Sequence, residues 1–310
     1  MGQGPVFIGG LDHSGKTQMR ISLSAHPNLA LTRRTYMWTR YYNRYGDLRQ
    51  PKNFERCLAA MLRSRHIRML QPDPDRIRRE FWQGVPTYPR LFALFHEHHA
   101  EMLGKPRWGD QLRFIEFYAD VIFNAYPTAR MIHMIRDPRD RYEISMPSTR
   151  HPKGKVGWAT ARWLDSVKLA KRNQQRYPQQ YKIVRYEDLT SQPEMTLRHV
   201  CAFLEEEFFP AMLLQEDRLG SENREDDRSR NDAAASIANL DRGSTSRKLI
   251  SEREAAFILA YSQSDLFFFG YPVDPVRFSP GDKIKFYTFD LPANLAGMIA
   301  WRLLKGGRPD

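Results

Sequence analysis

Short apolar runs alternate along the chain with longer stretches of helical periodicity. Three of the runs, Pro5 to Ile8, Ala129 to Ile135 and Tyr181 to Arg185, read as buried parallel strands. Each is followed by a turn and a helix-like pattern, the order that a parallel sheet requires. A fourth run, Leu29 to Thr32, follows the His26-Pro27-Asn28 turn and is expected beside the first. Between Pro51 and Trp108 the periodicity is helical. Asn53 stands where it can cap Phe54 to Leu70, and Pro89 opens a run through Leu91, Leu94, Phe95 and Met102. Leu112 to Ala125 reads as another amphipathic helix, closed by Tyr126-Pro127. Asp217 to Lys248 is polar and charged, the composition of a surface loop or of a lid that orders over ligand. A helix from Ser251 to Asp265 then leads to Phe267-Phe268-Phe269-Gly270-Tyr271-Pro272.

Chemistry enters where the first run ends. Gly10-Leu11-Asp12-His13-Ser14-Gly15-Lys16-Thr17 has the spacing G-x-x-x-x-G-K-[ST], a loop whose backbone N–H groups wrap a phosphate ester. Glycines let the chain approach the anion closely, and the helix that follows aims its unpaired N–H groups and positive dipole end at the same charge. With the strand pattern this predicts an α/β fold. One P-loop-like domain over residues 1–310 is expected, a parallel sheet flanked by helices. It carries a helical insertion at 51–108, a mobile loop or lid at 217–248 and a C-terminal extension at 273–310.

The net charge of +12 favours anionic partners. No helix-turn-helix, zinc-finger or RNA-binding signature accompanies it, so nucleic acid is not the expected partner. Cys57 and Cys201 sit in apolar helical contexts and read as core residues of a protein in a reducing, cytoplasmic compartment. The N-terminus carries no basic-then-apolar signal pattern. Leu291 to Leu304, with Trp301, Arg302 and Lys305 at its end, is too short to span a bilayer. It reads as a docked terminal helix or as a peripheral membrane contact.

A loop of this type most often serves phosphoryl transfer, which also needs a strand-terminal acid for magnesium. The acid here, Asp137, is embedded in Ile135-Arg136-Asp137-Pro138-Arg139-Asp140-Arg141. Three arginines beyond a strand end form an anion clamp, placed where such folds bind ligands. A ligand with two separated phosphate groups suits this arrangement better than a triphosphate with magnesium.

In these two segments and in three further ones the chain resembles a sulfotransferase using 3′-phosphoadenosine 5′-phosphosulfate (PAPS). Gly9 to Gln18 is similar to that family's 5′-phosphosulfate loop, and Arg136 to Ser145 to its 3′-phosphate segment. Tyr181 to Leu189 resembles its third strand with the Arg-Tyr-Glu-Asp-Leu ending, Pro193 to Leu204 the helix that follows, and Gly270-Tyr271-Pro272 its C-terminal signature. The resemblance implies that Ser14, Gly15, Lys16, Thr17 and Gln18 hold the 5′-phosphosulfate. It implies that Arg136 and a serine, Ser145, hold the 3′-phosphate, although Ser145 lies one residue beyond the family's usual place. Arg247-Lys248 resembles a basic pair that closes over the nucleotide; its other reading is a solvated helix start.

Two departures stand out. His13 takes the place where the family usually carries Lys or Arg, and Lys16 the place of a threonine. Lys16 or a protonated His13 is then the cation that steadies the transferring group. Leu31-Thr32-Arg33-Arg34-Thr35 contains no carboxylate where relatives often place their base. Candidates for that role are Asp110, His13 and the Glu97/His98/His99 group, Asp110 being preferred; its alternative reading is a helix cap before Leu112. Arg33 and Arg34 suit an anionic acceptor, or are plain surface charge. Tyr36 to Tyr45 is either an aromatic acceptor pocket or core. His96, His98 and His99 do not converge on one ion, and no metal is expected. The expectation is a sulfotransferase moving a sulfuryl group to a hydroxyl or amine of a small-molecule, glycan or peptide acceptor. The rivals are an ATP-dependent small-molecule kinase or NTPase, and a non-catalytic nucleotide-binding protein of the same fold.

Overall fold

The computed structural model describes residues 3–145, 154–213 and 250–305; the side chains of Ser145 and Lys305 lie outside it. The expected loop or lid at 217–248, with Arg247 and Lys248, falls outside the described residues. In chain order the elements are β1 (Val6–Gly10), α1 (Lys16–Ser24), β2 (Leu29–Arg33), α2 (Pro51–Arg63), α3 (Arg65–Arg68), α4 (Pro74–Gln83) and α5 (Tyr88–Met102). They continue with β3 (Arg107–Gln111), α6 (Ala119–Ala125), β4 (Arg130–Ile135), α7 (Pro138–Ser145), α8 (Lys155–Arg176), β5 (Tyr181–Arg185), α9 (Tyr186–Ser191) and α10 (Pro193–Leu204). The last three are α11 (Glu252–Phe268), α12 (Pro280–Lys285) and α13 (Leu291–Lys305). Packing groups them into two compact units, Met1–Gly10 with Gly15–Met134 and Asn173–Glu216, and Leu11–Ser14 with Ile135–Arg172 and Asp217–Asp310.

The first unit is built on a parallel sheet in the order β2-β3-β1-β4-β5. Every residue of central β1 is buried, as a strand covered on both faces must be. Successive side chains point to opposite faces. Val6 and Ile8 join Met19, Leu23, Ile132, Met134, Val200 and Leu204 in one core. Phe7, on the other side, meets the rings of Trp38, Trp108 and Tyr126. Trp38 also packs on Tyr42 and Phe92, and of the Tyr36 to Tyr45 aromatics Trp38 and Tyr41 are buried in the core.

Several boundaries depart from the sequence pattern. Leu29–Arg33 does not lie beside β1: β3 intervenes, and β2 forms the edge of the sheet. The helix expected from Leu112 begins only at Ala119, after Phe114 at φ 64° and a 3-10 turn at Ile115–Tyr118. Gln50, not Asn53, precedes α2, because Pro51 takes the first helical position; the Asn53 amide binds the Asp47 carbonyl instead. That helix breaks at Ser64, whose backbone is extended. Thr87 caps α5 by accepting from the Arg90 amide, so the helix opens at Tyr88, one residue before the expected Pro89. Ser251 is the N-cap of α11, in a capping box with Glu254, and the helix runs on to Phe268.

In the second unit Tyr142, Val156, Phe257, Ile258, Phe286, Met298 and Trp301 form the core. Helices α8 and α13 meet backbone to backbone there. A Cβ on Gly157 would come within 1.7 Å of the Asn294 carbonyl oxygen, and one on Gly297 within 2.1 Å of the Gly154 oxygen. The Gly157 amide donates to Asn294 Oδ1 at 3.1 Å, and Trp301 Nε1 to Asp165 at 2.6 Å.

Candidate functional site

The loop after β1 turns on residues whose backbone is left-handed. Gly10 has φ 113° and Gly15 has φ 89°, both comfortable only without a Cβ. Gly15 has a second reason to be glycine: a Cβ there would lie 2.3 Å from Cδ2 of the Tyr186 ring. The tyrosine of the Arg-Tyr-Glu-Asp-Leu segment thus covers the loop glycine directly.

Gly15 is the N-cap of α1 and no side chain caps that end. The first turn contains no carboxylate. The last four residues before Met19 therefore present amides and a positive dipole end with no internal anion. Thr17 is exposed, and Gln18 half-buried. Lys16 is buried, and its Nζ donates to the Gly10 carbonyl at 2.6 Å, closing the loop on itself. At its other end α1 is held by Lys105, whose Nζ donates to the carbonyls of Ser24, His26 and Leu29 at 2.7–2.9 Å.

A carboxylate that the sequence did not single out also touches this loop. Glu116 is buried, and its Oε2 accepts from the Gly10 amide at 3.3 Å; a Cβ on Gly9 would meet the same oxygen at 2.9 Å. The Glu116 carbonyl accepts from Asn173 Nδ2 at 2.8 Å. His133, on β4, binds the Tyr181 hydroxyl at 2.6 Å. Burial lowers the His133 pKa; Glu116 works against that and Lys16 with it. Glu116 and Lys16 are therefore electrostatic neighbours of one histidine beneath the loop. No local sequence signal marks Glu116, which looks like the polar face of an amphipathic helix.

Asp110 lies in the interior of the sheet, on β3 and fully buried, and it caps no helix. The Thr32 hydroxyl donates to its Oδ1 at 2.9 Å and the Thr35 hydroxyl to its Oδ2. His96 Nε2 stands 3.6 Å from Oδ2, and the imidazole stacks on Trp108 at 4.7 Å. Burial raises the Asp110 pKa to about 7 and lowers that of His96 to about 3, so both prefer their neutral forms. His98 is elsewhere, bound to Glu80 at 2.8 Å, and Glu97 faces Arg90. Among the described residues no cluster of three candidate ligands could hold a metal ion.

In the second unit, residues 11–14 form a tight turn. The Ser14 hydroxyl donates to the Leu11 carbonyl at 2.7 Å and is buried, while His13, half-buried, has φ 62°. Two arginines flank this turn. Arg141 donates to the Asp12 carbonyl at 3.5 Å and the Ala159 carbonyl at 3.4 Å, and its Nε has no hydrogen-bond partner. Burial, reinforced by Arg162 and opposed by Asp12, lowers its pKa to about 10. Arg162 stands 3.9 Å from the Asp12 carboxylate.

The expected three-arginine clamp takes a different form. Arg139 binds Asp137 through Nε at 2.9 Å and Nη2 at 2.6 Å, and reaches the Pro272 carbonyl at 2.8 Å. The bidentate geometry consumes the acid and the base together. It also assigns Gly270-Tyr271-Pro272 a structural task, that of receiving Arg139. Arg136 is fixed through its backbone, whose carbonyl accepts from Trp163 Nε1 at 2.9 Å. Ser145 ends α7.

The profile of the sulfotransferase family matches residues 5–210 of the chain. No curated protein sequence matches it. Among solved structures, it is similar to the sulfotransferase domain from the curacin biosynthetic pathway at 17% identity and TM-score 0.44, over 68% of this chain and 77% of that one. The sulfotransferase domain of the Synechococcus PCC 7002 olefin synthase aligns at 17% identity and TM-score 0.43, over 100% and 98%. Retinol dehydratase, solved with androsterone and the inactive cofactor PAP, aligns at 13% identity and TM-score 0.43, over 89% and 83%. With two thirds of its length matched by that profile, the chain belongs to the sulfotransferase family.

Proposed function

We propose that the protein takes a sulfuryl group from PAPS and passes it to a hydroxyl or amine of a small-molecule, glycan or peptide acceptor. The observation that carries this reading is the open first turn of α1, with its left-handed Gly15, its lack of any carboxylate or side-chain cap, and Lys16. These features fit a sulfated or phosphorylated anion. When bound, PAPS supplies the activated sulfuryl group and a phosphate leaving group.

The chain's own residues then have defined tasks. The amides of Gly15 to Gln18 and the Thr17 hydroxyl hold the 5′ end. Lys16 leaves the Gly10 carbonyl to neutralise the charge that grows on the leaving oxygen. Arg136 holds the 3′-phosphate, with Ser145 on α7 as its partner. Arg247 and Lys248 keep the closing role that the resemblance implies. His13, half-buried on the loop itself, receives the acceptor's proton, because Asp110 is sealed and both its oxygens are taken by threonines.

A kinase reading is weakened by the ion pair between Asp137 and Arg139, which occupies the acid that magnesium would need. Calorimetry separates the two. Binding of 3′-phosphoadenosine 5′-phosphate without magnesium, and none of magnesium-ATP, supports the proposal; the reverse result overturns it. Turnover of PAPS over a panel of acceptors, lost in Lys16→Met, distinguishes an enzyme from a protein that only binds the nucleotide.

A further inference from the structure

The outer face of the C-terminal helix is apolar and faces solvent. On α13, Pro292, Ala296, Ile299 and Leu303 follow one another at helical spacing and all are exposed, Ile299 at 56% and Leu303 at 76%. The opposite face of the same helix, with Asn294, Met298 and Trp301, is buried in the core of the second unit. A helix apolar on both sides has only one side to bury in its own fold. It cannot rotate to hide the other, because the glycine contacts with α8 lock it in place. Helix α12 adds exposed Ile284, and the helical turn Phe286–Asp290 adds exposed Tyr287 and Phe289, the last at 61%.

Charge around the patch is one-sided. Lys283, Lys285 and Arg302 are exposed. The two acids of the segment have partners of their own: Asp290 lies 3.3 Å from Arg253, and Asp282 is 4.0 Å from Arg253 while accepting from the Ser279 hydroxyl. No helix among the described residues is long and apolar enough to cross a membrane. An exposed apolar stripe beside cations, on a helix too short to span, has the chemistry of an interfacial anchor.

We infer that α12 and α13 dock the protein on a lipid surface bearing anionic headgroups, with Ile299, Leu303 and Phe289 entering the acyl boundary and Lys283, Lys285 and Arg302 at the headgroups. A second copy of the chain fits less well, since a two-fold contact through this face would gather the exposed cations of both copies in one seam.

The test is co-sedimentation with vesicles of phosphatidylcholine alone, or with about one third phosphatidylglycerol. The protein pellets with the anionic vesicles, and binding falls about tenfold or more in Ile299→Glu/Leu303→Glu and in Lys283→Glu/Lys285→Glu. Thermal unfolding verifies that both variants fold, as their exposed positions predict. Absence of pelleting overturns the proposal, as does equal pelleting of wild type and variants. Self-association in solution that Ile299→Glu/Leu303→Glu abolishes, without vesicle binding, assigns the face to a second copy instead.

Discussion

The ring of Tyr186 lies against Gly15 so closely that a Cβ on the glycine would come within 2.3 Å of it. The loop and the residue after β5 are thus one packed unit. Gly15→Ala combines this clash with a left-handed backbone at φ 89°, a conformation that costs a side chain about 1–3 kcal/mol. Urea unfolding of Gly15→Ala shows a loss of at least that size. In Gly15→Ala/Tyr186→Ala the clash is gone but the backbone cost remains, so stability is recovered only in part relative to Tyr186→Ala. Full recovery would show that the backbone contributes nothing.

The ion pair of Asp137 and Arg139 predicts that nucleotide binding is insensitive to chelation. Burial alone lowers the Arg139 pKa, and the Asp137 carboxylate more than reverses this, holding the guanidinium above its ordinary value. Asp137→Asn leaves a largely buried cation without its partner and destabilises the fold by about 3 kcal/mol. Nucleotide affinity measured with EDTA equals that measured with magnesium. A strong magnesium dependence abolished by Asp137→Asn would assign the acid to a metal.

Arg136→Ala weakens 3′-phosphoadenosine 5′-phosphate by about 10- to 100-fold, the value of one or two charge-assisted hydrogen bonds. The 3′-hydroxyl analogue loses much less, which calorimetry measures. Equal losses with both ligands would remove the 3′-phosphate from Arg136.

Asp110 and His96 make opposite contributions to pH dependence. With a folded pKa of about 7 against an ordinary 3.8, Asp110 keeps a proton that the unfolded chain has lost. Its contribution is complete below about pH 4 and is lost as pH rises toward 7. His96, at about 3 against 6.5, binds fewer protons when folded, so its contribution grows as pH rises from 3 to 6.5. The two nearly cancel where the windows overlap. Asp110→Asn exposes the histidine, with stability rising by up to about 1.4 kcal/mol per pH unit. His96→Gln exposes the aspartate, with stability falling by up to the same amount. Chemical denaturation across pH 4–7 reads both slopes; unchanged slopes in both variants would contradict the assignment.

Much of the fold was legible because its signals are local. The loop from Gly10 to Thr17, the apolar runs of β1, β4 and β5, and the helical period of α5 each reside within a few consecutive residues. Strand β3 was not legible, because Arg-Trp-Gly-Asp-Gln carries polar residues whose partners lie far away in sequence. Asp110 is satisfied by Thr32 and Thr35, and Arg107 by the carbonyls of Gly4 and Leu204. Glu116 was missed for the same reason, its partner Gly10 lying 106 residues earlier. The arginine-rich turn was legible as charge, but not as a division of labour. The two-residue spacing of Asp137 and Arg139 permits their pairing, whereas the tie to Pro272 emerges only in three dimensions.

Lys105 has a consequence for the loop at the other end of α1. The first turn of α1 is uncapped, so the helix forgoes stabilisation at the end to which the proposed function assigns the anion. Its far end is fastened instead, one ammonium holding three carbonyls from the helix terminus to the start of β2. Under the proposed function, receptivity at one terminus is thereby underwritten by tethering at the other, and a lesion at Lys105 would loosen the proposed grip on nucleotide from the opposite end of the helix.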